Sequence, residues 1–361
     1  TGLFIMGVSL YFVPRLVGIP LNAVFPVSWI CGLLFSGILL RSVAQPLSAI
    51  FHDGALNILL RCSLGYAAIA ELVAVAGYVT VMTMTLRSSR SMKDQEVLHT
   101  FRFYLIAVLC GWISAGTLNS VMTMQAALIN PMLLDLDGTY LATKLYMGLV
   151  LLPVTMIFSI RTFPLYLRLP AVRWPVRLVG LLYLCGFGLE LIPDQLMLLS
   201  DFHDEDFLRI LSGTGRVFKG LVLLWFIWEL DILLRRKNPW TVERAEQVVR
   251  HVRKQPREHL PDYGEFGRFE WLLYSAYVWL TIGAGLDIVA GCANLGFLTN
   301  PFNEDALRHI YLAGFIMLLL LGMAPRMIPG FMHRRAPAFP GLVTATFWLG
   351  KGAVLCRVLP V

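Results

Sequence analysis

The chain has 361 residues, 57% of them hydrophobic and only 15% charged, where a soluble domain carries about 25% charged and roughly 45–50% apolar residues. With a mean hydropathy of +0.68, this excludes a soluble globular domain, a disordered chain and a disulfide-stapled secreted one, and leaves a polytopic helical membrane protein. The formal charge of +7 does not point to nucleic acid, because the basic residues fall in loops on one side of a membrane.

Apolar windows of the length a bilayer core requires, about 18–25 residues, fall at 1–14, 24–43, 64–86, 103–127, 141–160, 175–196, 214–234, 269–294, 306–325 and 341–358. Ten spans are expected in a single bundle covering 1–361. The first window opens at Thr1 without a polar lead-in and the chain stops at Val361 just after the tenth, so both termini are expected to be truncated. Loops after odd-numbered spans hold twenty Lys and Arg residues and loops after even-numbered spans hold two. The even set carries nine acids instead, among them Asp201, Asp204–Asp206 and Glu304–Asp305. Retention of positive loops in the cytoplasm therefore predicts an inner-membrane protein whose odd-numbered spans run inward. The basic loop 235–268 is expected to be cytoplasmic, near anionic headgroups or docked on a partner.

The six cysteines lie singly in apolar stretches, with no C-x-x-C pair, which excludes a thiolate zinc site and covalent c-type haem attachment. No phosphate loop, dinucleotide fingerprint or nucleophile elbow is present.

Three odd-numbered spans end alike. Phe4-Ile5-Met6 precedes Pro14-Arg15 by seven residues, Phe315-Ile316-Met317 precedes Pro325-Arg326 by the same interval, and the fifth span closes on Arg161-Thr162-Phe163-Pro164. A proline at a helix exit is expected to end the helix. Arg15 and Arg161 are 146 residues apart and Arg161 and Arg326 are 165 apart, so each interval holds four spans and a threefold repeat of four-helix units is expected.

The ninth span is the most specific. His309 is followed by Gly314, by Arg326 at seventeen residues and by Gly330 at twenty-one, and this resembles the C-terminal histidine helix of the NnrS family. Arg161-x-x-Pro164 and the run from Gly7 into Pro14-Arg15 are similar to that family as well. NnrS proteins are haem- and copper-containing membrane proteins of the bacterial nitric oxide response. The four-helix repeat also resembles the haem–copper oxidase catalytic subunit, in which twelve helices form three arcs with metal-binding histidines near the outer ends of the second, sixth and tenth. The resemblance implies an all-α bundle with ten of twelve helices present and pseudo-threefold four-helix repeats. It implies haem b held by His309, with a second ligand just upstream of Thr1, in a nitric oxide response or electron-transfer role. Seventeen residues before Arg161 stands Lys144 rather than histidine, so a neighbouring copper and oxygen reduction with proton pumping are not expected. Two rivals stand beside this reading: a cofactor-free structural subunit of a larger membrane complex, and a transporter with parallel repeats.

Of seven histidines, His52, His99, His203, His251, His259 and His333 lie outside the predicted spans. His203 among Asp201–Asp206 reads as part of an ordinary acidic loop or as a metal patch. His309 follows an Asn303 cap with acids in the first turn and reads as a haem ligand or as an interfacial histidine. Arg326, with Arg15 and Arg161, either snorkels to the interface or binds haem propionate or lipid phosphate. Glu71, Lys144, Glu190, Asp287 and Lys351 are intramembrane ionisable groups, expected to pair or to line a proton or ligand path; Asp287 with Lys351 is the expected pair. Met82-x-Met84, Met122-x-Met124 and Met317, Met323, Met327 and Met332 read as packing rather than copper(I) thioethers. Gly186-Phe187-Gly188 and Gly283-Ala284-Gly285 read as close helix packing. The expected partners are membrane lipid and other subunits of a complex.

Overall fold

The computed structural model describes residues 2–48, 50–51, 53–88, 92–129, 136–199, 204–239, 266–298, 303–332 and 337–358. His52, His203, His251, His259, His333 and most of the 235–268 loop lie outside the described residues.

Every regular element among the described residues is a helix, with no strand. In chain order the helices are α1 (Gly2–Val17), α2 (Val27–Ser48), α3 (Gly54–Arg87), α4 (Met92–Thr100) and α5 (Arg102–Leu128). Helix α6 runs Leu136–Leu145, widens into a π-helical stretch at Tyr146–Leu151 and resumes as Leu152–Tyr166. Then come α7 (Val176–Leu199), α8 (Glu205–Leu230) and α9 (Phe269–Asn294). Helix α10 runs Glu304–His309, passes through a second π-helical stretch at Ile310–Met317 and continues as Leu318–Phe331; α11 is Gly341–Val358.

Eight of these, α2, α3 and α5 to α10, are long and apolar enough to cross a membrane, and α1 is a shorter apolar helix. Each apolar window of the sequence coincides with one helix. Large apolar side chains point outward along them, among them Trp29, Ile58, Leu59 and Leu349, each more than 60% exposed. A protein in water would bury these, whereas a bilayer accommodates them. All six cysteines are free, and five of them lie on exposed positions.

The chain divides into two compact units, residues 1–154 and 155–361. In the first, α2 packs on α3, α3 on α5, and α5 on the first half of α6. In the second, α7 packs on α8, α8 on α9, and α9 on α10. Short connections join α2 to α3 and α7 to α8 and make them antiparallel neighbours, whereas α8 and α9 pack on each other across the long connection 231–268.

The prolines do not stop the helices. Helix α1 continues three residues past Pro14, α6 two past Pro164, and α10 runs through both Pro325 and Pro329 to Phe331. Each proline removes one N–H donor, and within the last turns a helix tolerates that loss. The expectation that these prolines terminate helices is therefore corrected.

Candidate functional site

The second unit holds a chain of ionisable side chains contributed by four helices. Glu190 lies on α7, Arg216 and Lys219 on α8, Asp287 on α9, and Glu304 and Tyr311 on α10. Glu190 and Lys219 are each 4% exposed, Arg216 is 6% exposed and Asp287 is fully buried. Arg216 and Lys219 are three residues apart and share a face of α8. Glycines let the backbones approach: a Cβ on Gly186 would sit 2.8 Å from the Lys219 backbone nitrogen, and one on Gly215 would press on the Leu189–Glu190 backbone.

Lys219 is the hub. Its Nζ lies 2.6 Å from Glu190 Oε2 and 3.0 Å from Asp287 Oδ2. Tyr311 donates its hydroxyl proton to the same Asp287 Oδ2 at 2.5 Å. Arg216 Nη2 donates to Glu304 Oε1 at 2.5 Å, while its Nε stands 3.7 Å from Glu190 Oε1. Glu190, Asp287, Arg216 and Lys219 thus balance in charge where a lone ion would be costly. Arg216 Nη1 and Asp287 Oδ1 have no hydrogen-bond partner among the described residues.

This corrects the expected Asp287–Lys351 pair. Asp287 is engaged by Lys219 and Tyr311, and Lys351 lies over the Phe347 ring at 5.1 Å. Glu190 belongs to the network as an intramembrane charge should. In the first unit Glu71 accepts from Asn119 at 2.9 Å and lies 3.5 Å from Arg41, which itself donates to Asn119 at 2.7 Å. Lys144 is buried on α6.

His309 ends the first segment of α10 and leads directly into its π-helical stretch. The Asn303 cap is formed, its side chain accepting from the Asp305 amide at 3.1 Å, with Glu304 and Asp305 in the first turn. The imidazole is 14% exposed, and its Nε2 lies 3.5 Å from Asp305 Oδ2. That is within reach of an ion pair but makes no hydrogen bond, so Nε2 is buried without a hydrogen-bond partner among the described residues. Asp305 is itself held by Arg308. A Cβ on Gly314 would sit 2.8 Å from the Trp279 indole, which gives that glycine a packing reason. Arg326 places its guanidinium 4.8 Å from the Tyr166 ring and 4.2 Å from the Phe266 ring, and Arg15 folds over Tyr11 at 3.4 Å. Both are geometries of arginines resting on aromatic faces. Met323 and Met327 are core residues, while Met317 and Met332 are exposed. Among the described residues no group of three or more His, Cys, Asp or Glu side chains is placed to hold a metal ion.

Where α8 ends, Asp231 takes the left-handed conformation (φ 57°) and is 2% exposed. Its carboxylate accepts from the Lys237 amide at 2.8 Å and from Arg236 Nε at 3.2 Å. Burial alone would raise its pKa, but hydrogen bonds from Arg236 and Lys237 and the guanidinium charge outweigh it and hold the carboxyl below its usual range. A carboxyl depressed by folding stabilises the native state above its unfolded pKa, about 3.9, and loses that contribution as pH falls through the lower folded value. Thermal melts from pH 6 downward should thus show a loss in acid that Asp231→Asn lacks. Parallel curves for the two proteins would remove Asp231 from the acid response.

Sequence reasoning passed over Arg216, Lys219 and Arg41. The available signal was two cations three residues apart, between Gly215 and Gly220, inside an apolar window. It also passed over a second register. Tyr146 and Tyr311 are 165 residues apart, the interval that separates Arg161 from Arg326, and each lies in a π-helical stretch. No family model, curated protein or solved structure matches the chain.

Proposed function

We propose that the chain is a haem-binding integral membrane protein resembling the NnrS family, serving nitric oxide response or electron transfer within a membrane complex, with haem b ligated by His309. The observation that carries this reading is the buried Nε2 of His309, which has no hydrogen-bond partner among the described residues and sits where α10 widens into a π-helical stretch. Such stretches occur frequently at functional sites. Through that nitrogen His309 would hold a haem iron, imidazole being a common haem ligand. The Asn303 cap fixes the start of the helix that carries it, and Arg308 holds Asp305, the acid 3.5 Å from Nε2, in an ion pair. Bound haem would supply a one-electron redox centre there.

In the same reading the eight long helices, with α1 and α11, are ten members of a twelve-helix bundle of three four-helix arcs. The shared offset of Lys144, Tyr146 and Arg161 with His309, Tyr311 and Arg326, and the π-helical stretch common to both helices, support it. Arg326, stacked on two aromatic rings, is then an interfacial anchor rather than a propionate ligand.

The absorbance spectrum of the purified full chain tests the cofactor. The reduced protein should show a haem b α-band that His309→Ala abolishes or shifts and Met317→Leu leaves in place. A colourless protein overturns the reading and favours the transporter, for which the buried Lys219 network is the specific support.

The proposed orientation puts the basic loop 235–268 in the cytoplasm of an inner membrane. Single cysteines at Asn238 and Ser200, in a background freed of the six native ones, should label from opposite sides. Labelling from one side would refute this topology.

A further inference from the structure

We infer that Arg216 is a binding site for a small monovalent anion of carboxylate shape, closed in this structure by the Glu304 carboxylate. The inference rests on side chains of α7, α8, α9 and α10 and is independent of the haem reading.

The guanidinium of Arg216 is almost completely buried, yet it makes a single short contact, through Nη2 to Glu304. Its Nη1 has no hydrogen-bond partner among the described residues. A guanidinium presents a planar fork that carboxylates fill with two parallel hydrogen bonds, and Glu304 fills only one arm. The other donors of the network are taken up. Lys219 lies within 3.0 Å of both interior carboxylates, and Tyr311 adds a hydrogen bond to Asp287. The unused donor capacity of the site is therefore on Arg216.

Access also converges there. The Glu304 side chain is 46% exposed against 7% for Arg216. Glu304 is the first residue of α10, following the Asn303 cap. It thus joins the exposed start of that helix to the buried guanidinium, and an anion arriving from that end takes the space the carboxyl group vacates on turning outward.

Charge selects the valence. Glu190, Asp287 and Glu304 face Arg216 and Lys219, three negative groups against two positive. Exchange of Glu304 for a monovalent anion leaves that balance unchanged, whereas a divalent anion adds a further buried negative charge beside Glu190. Shape favours a carboxylate over a spherical halide, because its two oxygens take one near-linear hydrogen bond each from Nη1 and Nη2, where a halide is a single acceptor shared between two bent ones.

Acetate and chloride, titrated by calorimetry into the purified full chain, test the site. Glu304→Gln removes the competing internal anion and should bind acetate at least tenfold more tightly than the unaltered protein, and more tightly than it binds chloride. Arg216→Lys added to Glu304→Gln keeps the charge but loses the fork, and should weaken acetate binding at least tenfold relative to Glu304→Gln alone. A folded Glu304→Gln protein that binds acetate no better than the unaltered chain overturns the inference. Acetate binding that survives Arg216→Lys places the anion elsewhere and overturns it as well. Should the double variant fail to fold, the Glu304→Gln comparison alone decides.

Discussion

Replacing Lys219 with methionine should cost about 3–5 kcal/mol, the usual effect of removing one partner from a buried ion pair, and should appear as a large drop in melting temperature. Lys219 contacts two buried carboxylates at once, at 2.6 and 3.0 Å. Without it Glu190 falls back on Arg216 at 3.7 Å, and Asp287 on the Tyr311 hydroxyl. Lys351→Met supplies the comparison, since that lysine lies over a phenylalanine ring at a half-buried position and its loss should stay within about 0.5 kcal/mol. Adding Asp287→Asn to Lys219→Met should recover part of the loss, because it removes one of the two stranded charges; such non-additivity is the mark of contacting residues. Equal melting temperatures for Lys219→Met and Lys351→Met would show that the network does not hold the unit together.

The helices were legible because burial in lipid asks only for length and apolarity, and every apolar window coincides with one. Their ends were less so. Helix α8 begins at Glu205, nine residues before its window, because Asp204 caps it, accepting from the Phe207 amide at 3.0 Å, and the polar residues Glu205, Asp206 and Arg209 continue the helix beyond the apolar stretch. The Asn303 cap was readable for the same local reason, since a cap and its first turn are contiguous in sequence. Pairing within the site was not readable in this way. Asp287 and Glu190 stood out as acids in apolar runs, but their partner depends on which helix lies beside α9, and that is a matter of packing. Lys351 was the expected partner because it too interrupts an apolar run; α8, which packs along the length of α9, brings Lys219 there instead. Averaging hydropathy over a window also hid Arg216 and Lys219, whose charges are diluted by the leucines and phenylalanines around them. The repeat of Lys144 and His309 against their terminal arginines was visible as spacing, yet the π-helical stretches that share this register have no one-residue signature.

A single methyl group at Gly215 should disturb this site nearly as much as the loss of a charge. An added Cβ there lies 2.7 Å from the Leu189 carbonyl carbon and 2.8 Å from the Glu190 Cα, both backbone atoms that no rotamer change can move aside. Helix α8 must therefore shift away from α7, and overpacking of this kind costs about 1–3 kcal/mol before any charge is considered. The shift adds to that cost because Arg216 is the next residue on α8 and Glu190 is the residue crowded on α7. Separation lengthens the Lys219–Glu190 contact from 2.6 Å and the Arg216–Glu190 approach from 3.7 Å, weakening attraction where little water is present to replace it. Gly188→Ala, on α7 but with nothing within 4 Å of its Cβ position, separates packing from helix propensity. It should be neutral or stabilising by up to about 1 kcal/mol, since alanine favours helix over glycine. Gly215→Ala should melt well below it and should also lower the cost of a subsequent Lys219→Met, because a contact already stretched has less left to lose. Matching melting temperatures for the two alanine variants would mean that α7 and α8 are not held at glycine distance, and the close ion pairs of Glu190 would have no basis.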